Sequence, residues 1–200
     1  MHPQIYLASQ SPRRRELLEQ IGIYPKVITA DIDESPHPNE APAEYVIRLA
    51  LEKAKAVHLA LNTAEMHPVL AADTSVVVDN KILGKPVDLD DALSMMQQLS
   101  GRSHKVLTGV ALVDNKEIRS RLSVSHVTFR QVDKVEALAY WNSGEPHDKA
   151  GGYAVQGLGA MFISRLEGSY SGVMGLPLFE TAELLQSVGI EILSAPNDKN

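Results

Sequence analysis

Apolar residues recur with two different spacings along the chain, and this change of spacing predicts a mixture of helices and strands. Over residues 43–61 the apolar positions fall three or four apart, which is the pattern of an amphipathic helix. Residues 89–99 predict a second helix, which ends at Ser100 and Gly101. Further helices are predicted after Ser11, over residues 134–143 and at the end of the segment 168–189.

Strands are predicted where apolar and β-branched residues form short runs or alternate with polar residues. They cover residues 4–9, residues 26–31, the run 68–86 with its turn at Asp79 and Asn80, and a hairpin over 105–132 that turns at 114–116. On the second arm of that hairpin the alternation is supplied by Leu122, Val124, Val127 and Phe129. Because strands and helices alternate, the sequence predicts the α/β class.

Two segments break these patterns. Residues 31–42 are rich in proline and acidic side chains and are predicted to form a loop. Residues 144–162 contain too many glycines for a regular element, which predicts a loop that contacts a ligand. A chain of 200 residues can form one compact unit, or two small lobes that share a cleft, and the residues after Leu193 are predicted to be a frayed tail.

The composition narrows the class of protein. With 44% hydrophobic and 22% charged residues, the chain has an ordinary globular composition. No apolar run approaches the roughly 20 residues that cross a bilayer and no signal-peptide pattern is present, so we expect a cytoplasmic protein without a membrane partner. The absence of cysteine excludes disulfides and thiolate sites. A net charge of −6 disfavours a nucleic-acid partner.

Three consecutive arginines occupy the first turn of a predicted helix. Ser11 is predicted to be the N-cap and Pro12 the first helical residue, and Gly22 stands where a helix commonly ends. Residues 13–15 therefore place their positive charges at the helix end that already carries a partial positive charge. This arrangement is unfavourable without an anion and predicts a phosphate site.

The positions of a few charged residues would be explained by a bound ligand. Asp73 is expected to close the apolar strand VLAAD, where a carboxylate is costly unless it is paired or binds a metal, although a cap in a turn beside Thr74 is an equally good interpretation. Lys53, Lys85 and Glu34 are each compatible with an ordinary solvated side chain. Together, however, the arginines, the lysines and the two carboxylates are the groups that would bind a triphosphate with a divalent cation. The cationic groups would neutralise the phosphate oxyanions, and the carboxylates would hold the metal and take a proton from water.

Six short motifs follow one another along the chain: SQSPRR at 9–14, LALEKAKAV at 49–57, AADT at 71–74, GKP at 84–86, DKAGGYAVQG at 148–157 and GSYSGVMGLP at 168–177. Together they resemble the Maf family of nucleoside triphosphate pyrophosphatases, and the likeness extends from about residue 5 to residue 193. The QG of YAVQG and the GSY beyond it resemble the branch that acts on dTTP and UTP, as opposed to the branch that acts on 7-methyl-GTP.

This resemblance implies a mixed α/β fold of the ITPase-like (Maf/Ham1) type. Its features are a single domain with a central twisted mixed sheet and two lobes around a cleft. The implied reaction is hydrolysis of dTTP and UTP, and of modified pyrimidine nucleotides, to the monophosphate and pyrophosphate, which clears such nucleotides from the cellular pool. A divalent cation, Mg²⁺ or Mn²⁺, is the implied cofactor, and a homodimer is the implied assembly.

The resemblance also implies roles for individual residues. Asp73 is the implied proton acceptor, and Arg13, Thr74 and Gln156 are expected to influence substrate choice. The remaining residues implied to line the site are Ser9, Arg14, Glu34, Lys53 and Lys85. Asp73 and Glu34 would hold the metal. Arg15 is not part of the family pattern and is interpreted as a surface arginine.

Two alternatives from other classes remain open at this stage. A regulator of septum formation would use the same site to sense a nucleotide without turning it over. A nucleic-acid binder would use the arginine cluster, but the acidic net charge disfavours it.

Overall fold

A seven-stranded sheet dominates the computed structural model, which describes residues 5–61 and 67–192. Its strands are β1 (Tyr6–Leu7), β2 (Lys26–Val27), β3 (Val69–Val78), β4 (Lys81–Leu83), β5 (Ser103–Val113), β6 (Ile118–Phe129) and β7 (Ile163–Glu167). The strand order is β2-β1-β3-β5-β6-β7, and β4 pairs with β3. Strand β1 is parallel to β2 and β3, whereas the other pairs are antiparallel, so the predicted mixed α/β class with a central mixed sheet is confirmed.

Six α-helices connect the strands within the described ranges. They are α1 (Pro12–Gln20), α2 (Pro42–Ala60), α3 (Leu89–Leu99), α4 (Lys134–Asn142), α5 (Tyr170–Met174) and α6 (Leu178–Ser187). The helices predicted over 43–61, 89–99 and 134–143 are confirmed to within one residue at each end. The glycine-rich segment forms three short 3₁₀ turns, Glu145–Asp148, Ala150–Gly152 and Leu158–Phe162. None of the helices described is both long and apolar enough to span a bilayer, and the predicted tail lies outside the described residues.

Helix α2 lies close against the middle of the sheet, where it packs on β3 and β5. The close approach depends on Gly109 of β5, because a Cβ atom at this position would collide with the backbone carbonyl of Val46 in α2. Gly109 is the direct partner of Asp73 across the sheet. The missing side chain at Gly109 therefore sets how near α2, with its Lys53, comes to Asp73.

We expect Gly109→Ala to lower the free energy of unfolding by about 2 to 3 kcal/mol, because the added methyl group would push α2 away from the sheet. Gly84→Ala is the matched control, since a Cβ atom at Gly84 meets open space. That control should change stability by less than about 0.5 kcal/mol. Urea unfolding of both variants measures the difference, and equal stabilities would contradict the packing described for α2.

The two strands predicted nearest the N-terminus are shorter than expected. The runs 4–9 and 26–31 contain only the two-residue strands β1 and β2. One further backbone hydrogen bond extends each strand, from Ala8 N to Leu70 O and from Ile28 N to Leu7 O. Beyond these bonds both segments leave the sheet and line a cleft, which is why the apolar run does not continue as a strand.

The expectation that Asp73 closes a strand is wrong. Strand β3 continues to Val78, and Asp73 lies near its middle. The β-branched run that follows Asp73 stays in the sheet because β5 pairs with it residue by residue. The alternative interpretation of Asp73 as a turn cap is therefore also wrong, and its carboxylate needs another explanation.

The apolar residues predicted to alternate on β6 do not share one face. Val127 and Phe129 are buried, whereas Leu122 and Val124 are 38% and 43% exposed. The buried positions next to them are occupied by Ser123 and Ser125. These small side chains leave room for the turn before α5, and the Ser125 hydroxyl exchanges hydrogen bonds with the backbone of Ser169 there.

Candidate active site

A cleft of about 770 Å³ opens above the middle of β3. All nine predicted site residues line it, namely Ser9, Arg13, Arg14, Glu34, Lys53, Asp73, Thr74, Lys85 and Gln156. They come from the segment that enters α1, the first turn of α1, the loop before α2, α2 itself, β3, the segment after β4 and the turn before the last 3₁₀ turn. The fold thus brings together polar residues that are far apart in the sequence.

Two carboxylates share one ammonium group at the centre of this cleft. The Nζ atom of Lys53 lies 2.7 Å from Oδ1 of Asp73 and 2.7 Å from Oε1 of Glu34. The side chains of Lys53 and Asp73 are only 15% and 11% exposed. Because charges that are largely removed from water need partners, this ion pair explains how a carboxylate can sit in the middle of an apolar strand.

The guanidinium of Arg14 is fixed by three hydrogen bonds. Its Nε donates to the carbonyl of Gly175 at 2.8 Å, Nη1 donates to the Ser9 hydroxyl at 3.2 Å, and Nη2 donates to the Thr74 hydroxyl at 3.4 Å. Burial lowers the pKa of Arg14 from its ordinary value, and the nearby carboxylate of Asp73 opposes that shift. Arg14 is therefore a rigid cation that ties α1 to the end of α5.

The N-terminus of α1 faces the cleft. Ser11 is the N-cap and Pro12 is in the first turn, as predicted, but the Ser11 hydroxyl does not cap the helix. The first turn contains no acidic residue, and its Arg13 lines the cleft. A helix start with free N–H groups and an adjacent guanidinium favours an anion.

Arg15, the third arginine of the cluster, lies outside the cleft. Its side chain is half exposed, and its Nε lies 3.4 Å from Oε1 of Glu19 one turn along the helix. The interpretation of Arg15 as a surface residue is confirmed.

The hydroxyl groups of Thr74 and Thr108 form a hydrogen-bonded chain in the sheet that carries the cleft. The Thr108 hydroxyl donates to the carbonyl of Gly172 at 2.8 Å and lies 3.0 Å from the Thr74 hydroxyl. Because Thr108 has used its only proton, Thr74 donates to Thr108 and presents lone pairs to Arg14. The hydroxyl of Thr74 is thereby held in one orientation.

Comparisons with known proteins identify the family of the chain. The family described as Maf-like protein matches residues 4–188. The chain belongs to the Maf family. A protein of Alkalilimnicola ehrlichii named dTTP/UTP pyrophosphatase is 55% identical over 94% of this chain and 95% of its own length. A protein of the same name from Aromatoleum aromaticum is 52% identical over 92% of this chain and 95% of its own length. The structure of the Staphylococcus aureus Ham1 protein matches with a TM-score of 0.46 and 15% identity, over 62% of this chain and 71% of that chain.

The cleft of this Maf-family chain contains a further lysine that the sequence analysis did not single out. Lys149 lines the cleft, is only 14% exposed and pairs with Asp148. It belongs to the motif DKAGG, whose lysine could have been chosen by the reasoning that selected Lys53 and Lys85. The cleft therefore has one more cationic group available for phosphate oxygens.

The loop that carries Glu34 is held against α2 by residues outside the predicted set. The Tyr45 hydroxyl donates to the carbonyl of Glu34 at 2.9 Å. Arg48 donates to both carboxylate oxygens of Glu40, at 2.5 and 2.8 Å, and to the carbonyl of Ser35 at 3.1 Å. These contacts bring Glu34 within reach of Lys53.

The donor set at the centre of the cleft fits a divalent cation that arrives with its substrate. Within residues 5–61 and 67–192, no group of three or more histidine, aspartate or glutamate side chains could hold a metal by itself. Asp73 and Glu34 nevertheless direct two carboxylates toward one positive charge, that of Lys53. Mg²⁺ is commonly bound by one or two carboxylates together with substrate phosphates, so these two residues suit such an ion.

A buried histidine lies behind the wall of the cleft. Nε2 of His104 is 2.8 Å from the hydroxyl of Tyr153, and Tyr153 lines the cleft. The imidazole packs edge-on against the ring of Phe129. Burial lowers the pKa of His104 to about 4, with a smaller contribution from Arg102. The folded protein therefore favours the neutral imidazole.

The free energy of unfolding should fall as pH drops from about 6.5 toward 4. In this window His104 is protonated in the unfolded chain but stays neutral in the folded chain, so protons stabilise the unfolded state. Above this window His104 is neutral in both states, and below it the effect is complete. Between pH 7.5 and pH 5 the free energy of unfolding should drop by about 2 kcal/mol more in the native sequence than in His104→Gln. Urea unfolding at the two pH values measures this difference, and the exposed His126→Gln variant is the control that should behave like the native sequence.

Proposed function

We propose that this protein hydrolyses dTTP and UTP to the nucleoside monophosphate and pyrophosphate. The observation that carries the proposal is the meeting of Lys53, Asp73 and Glu34 in a cleft that Arg13 and Arg14 also line. This is the combination that phosphoryl chemistry needs, because cationic groups neutralise the phosphate oxygens beside a carboxylate that can accept a proton. The names of the two relatives support dTTP and UTP as the substrates.

In the proposed reaction, water attacks the α-phosphorus of the bound triphosphate. Asp73 accepts the proton as the new P–O bond forms, and the bond between the α-phosphorus and the bridging oxygen breaks, so that its electron pair leaves with pyrophosphate. Lys53 holds Oδ1 of Asp73, which leaves Oδ2 to take the proton. Arg13, Arg14 and Lys85 position the phosphate chain.

A divalent cation held by Asp73 and Glu34 would neutralise phosphate charge and favour deprotonation of the attacking water. The preference for Mg²⁺ or Mn²⁺, the homodimer and the cytoplasmic location remain predictions.

Gln156 supports the preference for uracil and thymine. Its amide makes no hydrogen bond to another described residue, and it lines the cleft, so both its donor and its acceptor are available. The alternating acceptor and donor edge of uracil or thymine matches such an amide. A base with a different edge would cover polar groups of the amide and of the base without pairing them, which is a strong source of discrimination.

Release of pyrophosphate from a panel of nucleoside triphosphates, with Mg²⁺ or with Mn²⁺, tests the proposed function. We expect the highest kcat/KM with dTTP and UTP. Binding of these nucleotides without release of pyrophosphate would contradict an enzymatic role and favour the alternative of a nucleotide sensor.

A further inference from the structure

Gln156 is held at the corner of a tight turn. The carbonyl of Ala154 accepts a hydrogen bond from the amide of Gly157 at 3.3 Å, which closes the turn around Gln156. The 3₁₀ turn Leu158–Phe162 begins directly after it. The side chain of Gln156 itself is exposed in the cleft, so the position of its amide depends on how firmly this turn is anchored.

One pair of side chains anchors both ends of the turn. On the near side, the amide of Ala154 donates to the hydroxyl of Tyr140 at 3.2 Å. On the far side, the amides of Leu158 and Gly159 donate to the carboxylate of Glu145 at 2.7 and 2.9 Å. The two anchors are joined, because the Tyr140 hydroxyl donates to Glu145 at 2.7 Å.

The glycines on the far side of the turn are what permit these contacts. A Cβ atom at Gly157 would collide with the carboxylate of Glu145, and one at Gly159 would lie 2.7 Å from the Tyr140 hydroxyl. Desolvation opposes the charge on Glu145, but the hydrogen bonds from Gly159, Tyr140 and Leu158 outweigh it and hold the pKa below its ordinary value. Glu145 is therefore an ionised acceptor with three hydrogen-bond donors, and all three hydrogen bonds help to anchor this turn.

We propose that Glu145, with Tyr140, positions Gln156 and thereby sets the preference of the cleft for uracil and thymine over cytosine. The proposal rests on the proposed function, since it concerns the residue assigned there to base recognition. Neither Tyr140 nor Glu145 lines the cleft, so both act through the turn and are positioning residues. A polar side chain discriminates between bases only while its amide keeps one orientation and one place.

Two variants test this role with little change of shape. Glu145→Gln replaces one acceptor oxygen by an NH₂ group, which would face a backbone N–H and anchor nothing. Tyr140→Phe removes only the hydroxyl and keeps the ring that packs edge-on against Phe162. Glu136→Gln is the matched control, because Glu136 pairs with Arg130 and caps α4 without touching the turn.

The measured quantity is the ratio of kcat/KM for UTP to kcat/KM for CTP. We expect about a tenfold loss of this ratio in Glu145→Gln and a smaller loss in Tyr140→Phe, with a larger effect on KM than on kcat. Glu136→Gln should keep the native ratio. In a Gln156→Ala background, where the amide is already absent, Glu145→Gln should not change the ratio further.

The outcomes separate this proposal from the function on which it rests. If Gln156→Ala lowers the ratio but Glu145→Gln and Tyr140→Phe do not, the positioning role is overturned while the function stands. A further drop of the ratio in the double variant would also overturn it, because Glu145 would then act independently of Gln156. If the native protein releases no pyrophosphate, or if Gln156→Ala leaves the ratio unchanged, the proposed function or its base recognition fails and the positioning role falls with it.

Discussion

Replacing Asp73 by asparagine should lower kcat by a factor of about 10² to 10⁴ while the protein remains folded. Asparagine has nearly the same shape and can still accept a hydrogen bond from Lys53 through its amide oxygen, so the contact at the centre of the cleft is kept in part. What is lost is the ability to take a proton from water. Steady-state pyrophosphate release with dTTP and UTP, together with thermal unfolding, measures both consequences.

Asp79→Asn is the matched control for this variant. Asp79 follows β3, is exposed and pairs with Arg102 away from the cleft, and its positive φ of 49° suits asparagine. Native kcat in Asp79→Asn together with native kcat in Asp73→Asn would show that the proton goes to another group.

Replacing Arg14 by lysine should lower kcat/KM by about 10² to 10³, although the charge is conserved. The planar guanidinium donates to Gly175, Ser9 and Thr74 from three different nitrogens, and a lysine ammonium cannot reproduce that geometry. The carbonyl of Gly175 would lose its charged donor, and the phosphate-facing end of α1 would lose its link to α5. Both KM and kcat should change, since the bound triphosphate would be held in a poorer position.

Arg15→Lys provides the control one position along the helix. Arg15 is exposed and makes only an ion pair with Glu19, so we expect kcat/KM within twofold of the native value. Native kcat/KM in Arg14→Lys would mean that the positive charge at this position matters and the geometry of the guanidinium does not.

Local patterns pointed to the arginines of α1 and to Asp73, and the other predicted residues of the cleft came from the motif resemblance. Arginines at a helix start and a carboxylate inside an apolar run are unusual wherever they occur, and the motif resemblance connected them. All nine predicted site residues line the cleft.

The partners of these residues could not be predicted from local patterns. Arg14 bonds to Gly175, which is 161 positions away, and Lys53 bonds to Asp73 across the contact between α2 and β3. Such contacts depend on how near two elements approach, and for α2 and β3 that distance is set by the missing side chain of Gly109.

The errors in the predicted strands have a related cause. An apolar run does not reveal where its hydrogen-bonded ladder ends, because that is decided by the neighbouring strand. β5 continues beside β3 past Asp73, whereas the edge strand β2 has only the short β1 as a neighbour. On β6, Ser123 and Ser125 are buried because a turn from elsewhere in the chain packs on them, and hydropathy alone favoured Leu122 and Val124.

The most direct test of the account is the hydrolysis of UTP in heavy-oxygen water, followed by mass analysis of both products. Attack at the α-phosphorus beside Asp73 predicts that one heavy oxygen appears in UMP and none in pyrophosphate. Heavy oxygen in the pyrophosphate, with unlabelled UMP, would contradict the position of Asp73 beside the innermost phosphate.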